Sequence, residues 1–107
     1  MNMKIRILPR QSGRTTKLIA DAARNAKIIV CANDRQRKII ESMAMEQGLR
    51  IPKPVTMYEA IHGGLAGYKS KVVIDDLEAC VQSVIPNQID CAICDTDSCE
   101  WEDYGKE

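Results

Sequence analysis

The chain has 107 residues, 45% of them hydrophobic and 28% charged, which is the ordinary balance of one globular domain with a single modest core. No apolar run approaches the roughly 18 residues of a membrane span, and no signal-peptide apolar region is visible near Met1, so a cytoplasmic protein with no membrane partner is expected. Aromatics are 4% with no Phe, which argues against a single-strand binder built on stacked rings and leaves the core to Ile, Val, Leu, Ala and Met.

In chain order, Met3-Lys4-Ile5-Arg6-Ile7-Leu8 alternates and reads as a strand over 3–8. The stretch Leu8-Pro9-Arg10-Gln11-Ser12-Gly13-Arg14-Thr15-Thr16 follows, and a helical pattern over 14–26 places Leu18, Ile19, Ala22, Ala23 and Ala26 on one face. Strand, polar glycine turn and helix are the context that a phosphate-binding loop requires. Gly13 lets the backbone approach an anion without a Cβ clash. The helix behind it directs free N–H groups and the positive end of its dipole at the same point. Thr15 stands where a hydroxyl would ligate Mg²⁺, and Arg14 can fork onto two phosphate oxygens. Arg10, Gln11, Ser12 and Thr16 complete the expected phosphate-binding set. The plainer reading of Ser12-Gly13 is a helix cap and turn.

A second strand is expected over 27–32 and a helix over 34–47, with Ile39, Ile40, Met43 and Ala44 facing inward and Gly48 ending it. Arg35, Arg37 and Lys38 begin that helix and could touch a nucleic-acid backbone, although a solvated helix face is the simpler reading. Pro52 and Pro54 bracket a loop before a short strand at 55–57, and a helix over 57–62 ends at Gly63-Gly64, beside which His62 reads as a turn residue. Lys71-Val72-Val73-Ile74-Asp75 forms a strand over 71–75 that ends in the acidic run Asp75-Asp76-Leu77-Glu78. Asp75 could hold Mg²⁺, and Asp76 or Glu78 could position an attacking water. A short helix over 77–84 and a last strand over 89–94 complete the pattern. Alternating strands and helices predict an α/β fold, a three-layer arrangement around a mostly parallel sheet of about five strands, with both motifs at carboxyl ends of strands. Residues 1–94 would form a minimal nucleotide-binding domain, and the acidic segment 95–107 a mobile tail.

Cys91-x-x-Cys94 with Cys99 and His62 offers a zinc donor set, but residues three apart on a strand face opposite sides, which counts against it. Cys31 and Cys80 lie among apolar neighbours and read as small buried hydrophobes. The zero net charge hides an asymmetry: residues 1–54 carry 12 basic and 4 acidic side chains, and residues 55–107 carry 3 and 11. Such halves could attract each other, within one chain or between copies in a homo-oligomer.

The segment Pro9-Arg10-Gln11-Ser12-Gly13-Arg14-Thr15-Thr16 resembles the Walker A loop of P-loop NTPases, in particular phage terminase large subunits and superfamily 1 and 2 helicases. Those loops often read P-R-Q-x-G-K-T. Val72-Val73-Ile74-Asp75-Asp76 is similar to their Walker B strand, Lys27 to Asn33 with Arg35-Gln36 to their second strand and turn, and Val55-Thr56-Met57-Tyr58 to the strand before Walker B. Ile89 to Asp95 is similar to the strand after it. The resemblance implies a P-loop fold that binds ATP or ADP with Mg²⁺, through Thr15 and Asp75 at the metal and 10–16 at the phosphates. Two departures stand out. Arg14 occupies the place of the loop lysine, and Asp76 the place of the usual catalytic Glu, so weak or absent hydrolysis is expected. A small phage-type ATP-binding protein acting on DNA or a DNA-processing complex is one reading. The other is a non-catalytic interaction module, such as an inhibitor of a host protein, that reuses a degenerate P-loop fold.

Overall fold

A computed structural model describes residues 3–7, 13–94 and 99–103. The chain divides into two compact units, one holding the strand pair near its two ends and the other formed by residues 15–88.

In the first unit, strand β1 (Met3–Ile7) pairs in parallel with the chain's last strand, Cys99–Asp103. The register sets Met3 opposite Cys99, Lys4 opposite Glu100, Ile5 opposite Trp101 and Arg6 opposite Glu102. A basic strand from the first half of the sequence is thus zipped to an acidic one from the second.

The second unit is built around strand β2 (Ile28–Cys31), which is buried at all four positions. That unbroken apolar run fits a strand covered on both faces. It is the centre of a three-stranded parallel sheet, flanked by β3 (Val55–Thr56) and β4 (Val72–Ile74). Helix α1 (Arg14–Asn25) leads into β2, and helix α2 (Asp34–Glu46) connects β2 to β3. Ile19 and Ala22 from α1 and Ile40 and Ala44 from α2 meet Ile29 and Cys31 in one buried cluster, with Leu18, Met43, Leu49, Ile51 and Val73 packed around it. Burying three isoleucines there contributes roughly 1.5–3 kcal/mol for each side chain.

Both long helices stop in the same way. After α1, the Lys27 N–H donates to the Ala22 carbonyl at 3.1 Å, and after α2 the Leu49 N–H donates to the Ala44 carbonyl at 2.9 Å. Each bond spans a residue in the left-handed region, Ala26 at φ +51° and Gly48 at φ +66°. This is the helix end that normally selects glycine. Asn33 starts α2 by accepting the Gln36 N–H at 2.9 Å. Thr56 and Glu59 form a reciprocal cap on the short helix α3 (Met57–Glu59), which continues as a wide turn over Ala60–Gly64. Helix α4 (Leu77–Val84) follows β4.

The expected five-stranded, three-layer sheet is not formed. Residues 89–94 carry no ladder and are exposed or half-buried, with Ile93 97% exposed. The last strand is instead β5 (Cys99–Asp103), and it pairs with β1 rather than with the β3-β2-β4 sheet. Three short strands are too small a platform for the fold that the motifs suggested.

Candidate functional site

The carboxyl end of β4 carries Asp75. Its backbone N–H donates to the Val30 carbonyl at 2.9 Å, prolonging the β2–β4 ladder by one bond and fixing the residue against the central strand. The residue is only 6% exposed. The Thr15 hydroxyl, from the first turn of α1, donates to Oδ1 at 3.4 Å. The Gln36 amide, from the first turn of α2, donates to Oδ2 at 3.2 Å. A buried carboxylate is tolerable only with such partners. Thr15 and Asp75 are 60 residues apart in sequence, and the fold brings together these two members of the predicted metal set.

At 3.4 Å the hydroxyl and the carboxylate oxygen are hydrogen-bonded to each other and stand wider apart than the edge of a Mg²⁺ octahedron. Adjacent ligands of an octahedral ion bound at ~2.0–2.1 Å lie about 3 Å apart, and both are the oxygen donors that Mg²⁺ prefers. Among the described residues no group of three or more His, Cys, Asp and Glu side chains converges.

The other predicted residues fall as follows. Gly13 sits at φ +75°, a conformation that favours glycine, immediately before α1. Arg14 and Thr16 are exposed in the first turn of that helix. Arg10, Gln11 and Ser12 lie outside the described residues. Asp76 adopts φ +62° and caps α4, its carboxylate accepting the Ala79 N–H at 3.1 Å. Glu78 is exposed in the first turn of α4.

Two residues on α2 have roles that spacing along the sequence does not show. Gln36 reaches Asp75 across 39 residues. Arg37, expected on a solvated or DNA-facing surface, is instead turned inward. Its guanidinium donates to the Pro54 carbonyl at 3.3 Å and to Glu59 at 2.6 Å, and it also pairs with Asp34. The Thr56 N–H and the Arg37 guanidinium together hold the Glu59 carboxyl below its usual range. Arg35 and Lys38 remain exposed.

The cysteines separate into two pairs. Cys31 and Cys80 are fully buried, and burial pushes both thiols up to about 11. The Cys80 thiol donates to the Asp75 carbonyl at 3.3 Å. Cys91 and Cys94 are exposed in a segment that is not a strand, so strand alternation does not decide how they face. Cys99 is described only through its backbone. His62 sits in the wide turn, with Nδ1 2.7 Å from the Tyr58 carbonyl and its ring stacked on Tyr58 at 4.0 Å.

No helix among the described residues is long and apolar enough to cross a membrane. No known protein family, curated protein or solved structure matches the chain.

Proposed function

We propose that this chain binds ATP or ADP together with Mg²⁺, with weak or absent hydrolysis, and that it serves DNA or a DNA-processing complex in the manner of the phage motor proteins its motifs resemble. The observation that carries the reading is the Thr15 hydroxyl 3.4 Å from the buried Asp75 carboxylate. A threonine opening a helix behind a left-handed glycine, set against an aspartate at a strand's carboxyl end, is the pairing that a Mg²⁺–phosphate site uses. Bound Mg²⁺ would supply charge neutralisation at the phosphates. The chain's own part is to hold the hydroxyl, the carboxylate and the helix N–H groups in place.

Slow turnover follows from the same residues. Arg14 cannot act as a compact ammonium at the γ-phosphate. Asp76 already spends its carboxylate on the cap of α4.

Calorimetry and thermal shift with Mg²⁺-ATP and Mg²⁺-ADP test the proposal. Ligand at 100 times its Kd should stabilise the chain by about 2.7 kcal/mol. Asp75→Ala should abolish the Mg²⁺ dependence, and Thr15→Ala should weaken it. Absence of both heat and melting shift at millimolar nucleotide would overturn it.

One observation favours the interaction-module reading. Tyr58, Ile61 and Tyr68 are 64%, 55% and 63% exposed within a dozen residues, and Tyr58 lines an open cleft of about 310 Å³ with Lys53, Val55 and His62. Exposed apolar groups this close in sequence are the material of a protein contact.

A further inference from the structure

We propose that the cleft between the last turns of α1 and the residues that follow α2 holds the sugar–phosphate backbone of nucleic acid, gripped by Arg24 and Arg50. The inference rests on the DNA part of the proposed function, gives that part a surface, and is independent of the nucleotide part.

The cleft has a volume of about 410 Å³ and is lined by Ala20, Ala23, Arg24, Gly48, Leu49 and Arg50. All six belong to the second unit. Both charged groups that line it are arginines, and no acid on its walls offsets them. Arg24 and Arg50 are exposed, and neither guanidinium has an ion pair or hydrogen bond among the described residues. Other cations of the unit are engaged internally. Lys27 pairs with Asp21 at 2.9 Å, and Arg37 is tied to Asp34 and Glu59. The helix ends nearby have partners of their own. The Gln47, Gly48 and Leu49 N–H groups donate to the Met43, Met45 and Ala44 carbonyls, and the Lys27 N–H donates to Ala22. The negative pole of each helix is thus answered by backbone N–H groups and does not depend on the two arginines alone.

A guanidinium stays charged at any physiological pH and presents a planar fork of donors that matches phosphate oxygens. Two of them on one cleft, with no carboxylate competing, attract an oxyanion. The remaining walls are small or apolar, and a Cβ at Gly48 would meet nothing within 4 Å, so the space is open. Guanidiniums beside such walls suit an ester, with phosphate on the arginines and sugar against Leu49 and the alanines. A nucleic-acid backbone repeats that unit, and contacts to it position a protein without reading bases. The basic start of α2, expected as a DNA surface, loses Arg37 to Glu59 and the Pro54 carbonyl.

The test measures binding of the full chain to a short fluorescent DNA duplex by anisotropy, between about 50 mM and 200 mM salt. It compares the natural chain, Arg24→Gln, Arg50→Gln, the double variant, and Lys69→Gln, an exposed cation outside the cleft. Each phosphate contact removed should flatten the slope of log affinity against log salt by about 0.9, so the double variant should lose about 1.8. Lys69→Gln should leave the slope unchanged. Replacing both arginines by lysine should restore the slope, which counts charges, at lower affinity, because the fork is gone. Equal flattening in Lys69→Gln would mean diffuse attraction and overturn the site. Calorimetric binding of inorganic phosphate that the double variant abolishes, with DNA affinity unchanged, would overturn the nucleic-acid assignment, as would polyglutamate binding tighter than DNA with the same arginine dependence. A purely structural Arg24 at the end of α1 would lower the melting temperature and leave the slope unaltered, which overturns the site and leaves the DNA reading standing. Failure of the natural chain to bind the duplex at the lowest salt overturns both, whatever the ATP titrations give.

Discussion

The two helix ends provide a matched pair of perturbations with opposite signs. Ala26 holds a φ of +51° and Gly48 a φ of +66°, each spanned by the same closing bond from the following residue. A Cβ in the left-handed region costs roughly 1–2 kcal/mol through its clash with the backbone carbonyl. Glycine avoids that clash and gives back about 0.5–1 kcal/mol through the greater freedom of the unfolded chain. Ala26→Gly should therefore stabilise by about 0.5–1 kcal/mol, and Gly48→Ala should destabilise by a similar amount. At Gly48 a Cβ would meet nothing within 4 Å, so the cost there is backbone strain alone. For a chain of this size 1 kcal/mol moves the melting temperature by about 4–8 °C. Thermal unfolding followed by circular dichroism at 222 nm should show Ala26→Gly melting several degrees higher and Gly48→Ala several degrees lower, with the double variant near the natural chain. A lower melting point for Ala26→Gly would refute the assignment of a strained helix end to α1.

Burial raises the Cys31 and Cys80 thiols from 9.0 to about 11. The folded state thus binds these protons more tightly, and its stability should be intact below pH 9 and decline as pH rises towards 11; replacing both by Ser or Ala should flatten that decline in urea titrations. At pH 8, Cys91 and Cys94 should react with a thiol reagent at once, while Cys31 and Cys80 should react only at the rate of unfolding. Lys4 stands opposite Glu100 in the β1–β5 register, so Lys4→Glu should weaken that strand pair through like charges, an effect that 0.5 M salt reduces; amide exchange of β1 reports it. Arg14→Lys should raise ATP turnover from far below 1 s⁻¹ towards the usual enzyme range if Arg14 faces the phosphates; unchanged binding and rate would remove Arg14 from the site.

Local signals made the second unit readable. The apolar run Ile28–Cys31, the 3.6-residue pattern of α1 and α2, the cap at Asn33 and the stop at Gly48 all state their structure within a few residues. Asp75 was legible as the acid that ends an apolar strand, which is a local pattern too. The last strand was not. Ile89-Asp90-Cys91-Ala92-Ile93 has strand-like composition and forms none, while the acidic Cys99-Glu100-Trp101-Glu102-Asp103 forms one by pairing with β1. Strand pairing is a property of two segments, and composition describes only one. Gln36 and Arg37 were illegible for a similar reason. Their partners lie 39 and 22 residues away, and only the packed helix aims them.

The pairing of β1 with β5 also imposes an order of events during synthesis. Met3 meets Cys99, 96 positions later, whereas residues 15–88 can pack among themselves. Closing a loop of that length costs about 4 kcal/mol of chain entropy on a logarithmic scale. At roughly 5–20 residues per second on the ribosome, β1 waits for about 5–20 s before its partner exists. During that interval β1 is a strand without its partner, and a charged residue such as Lys4 is the device that natural edge strands use against pairing with other chains.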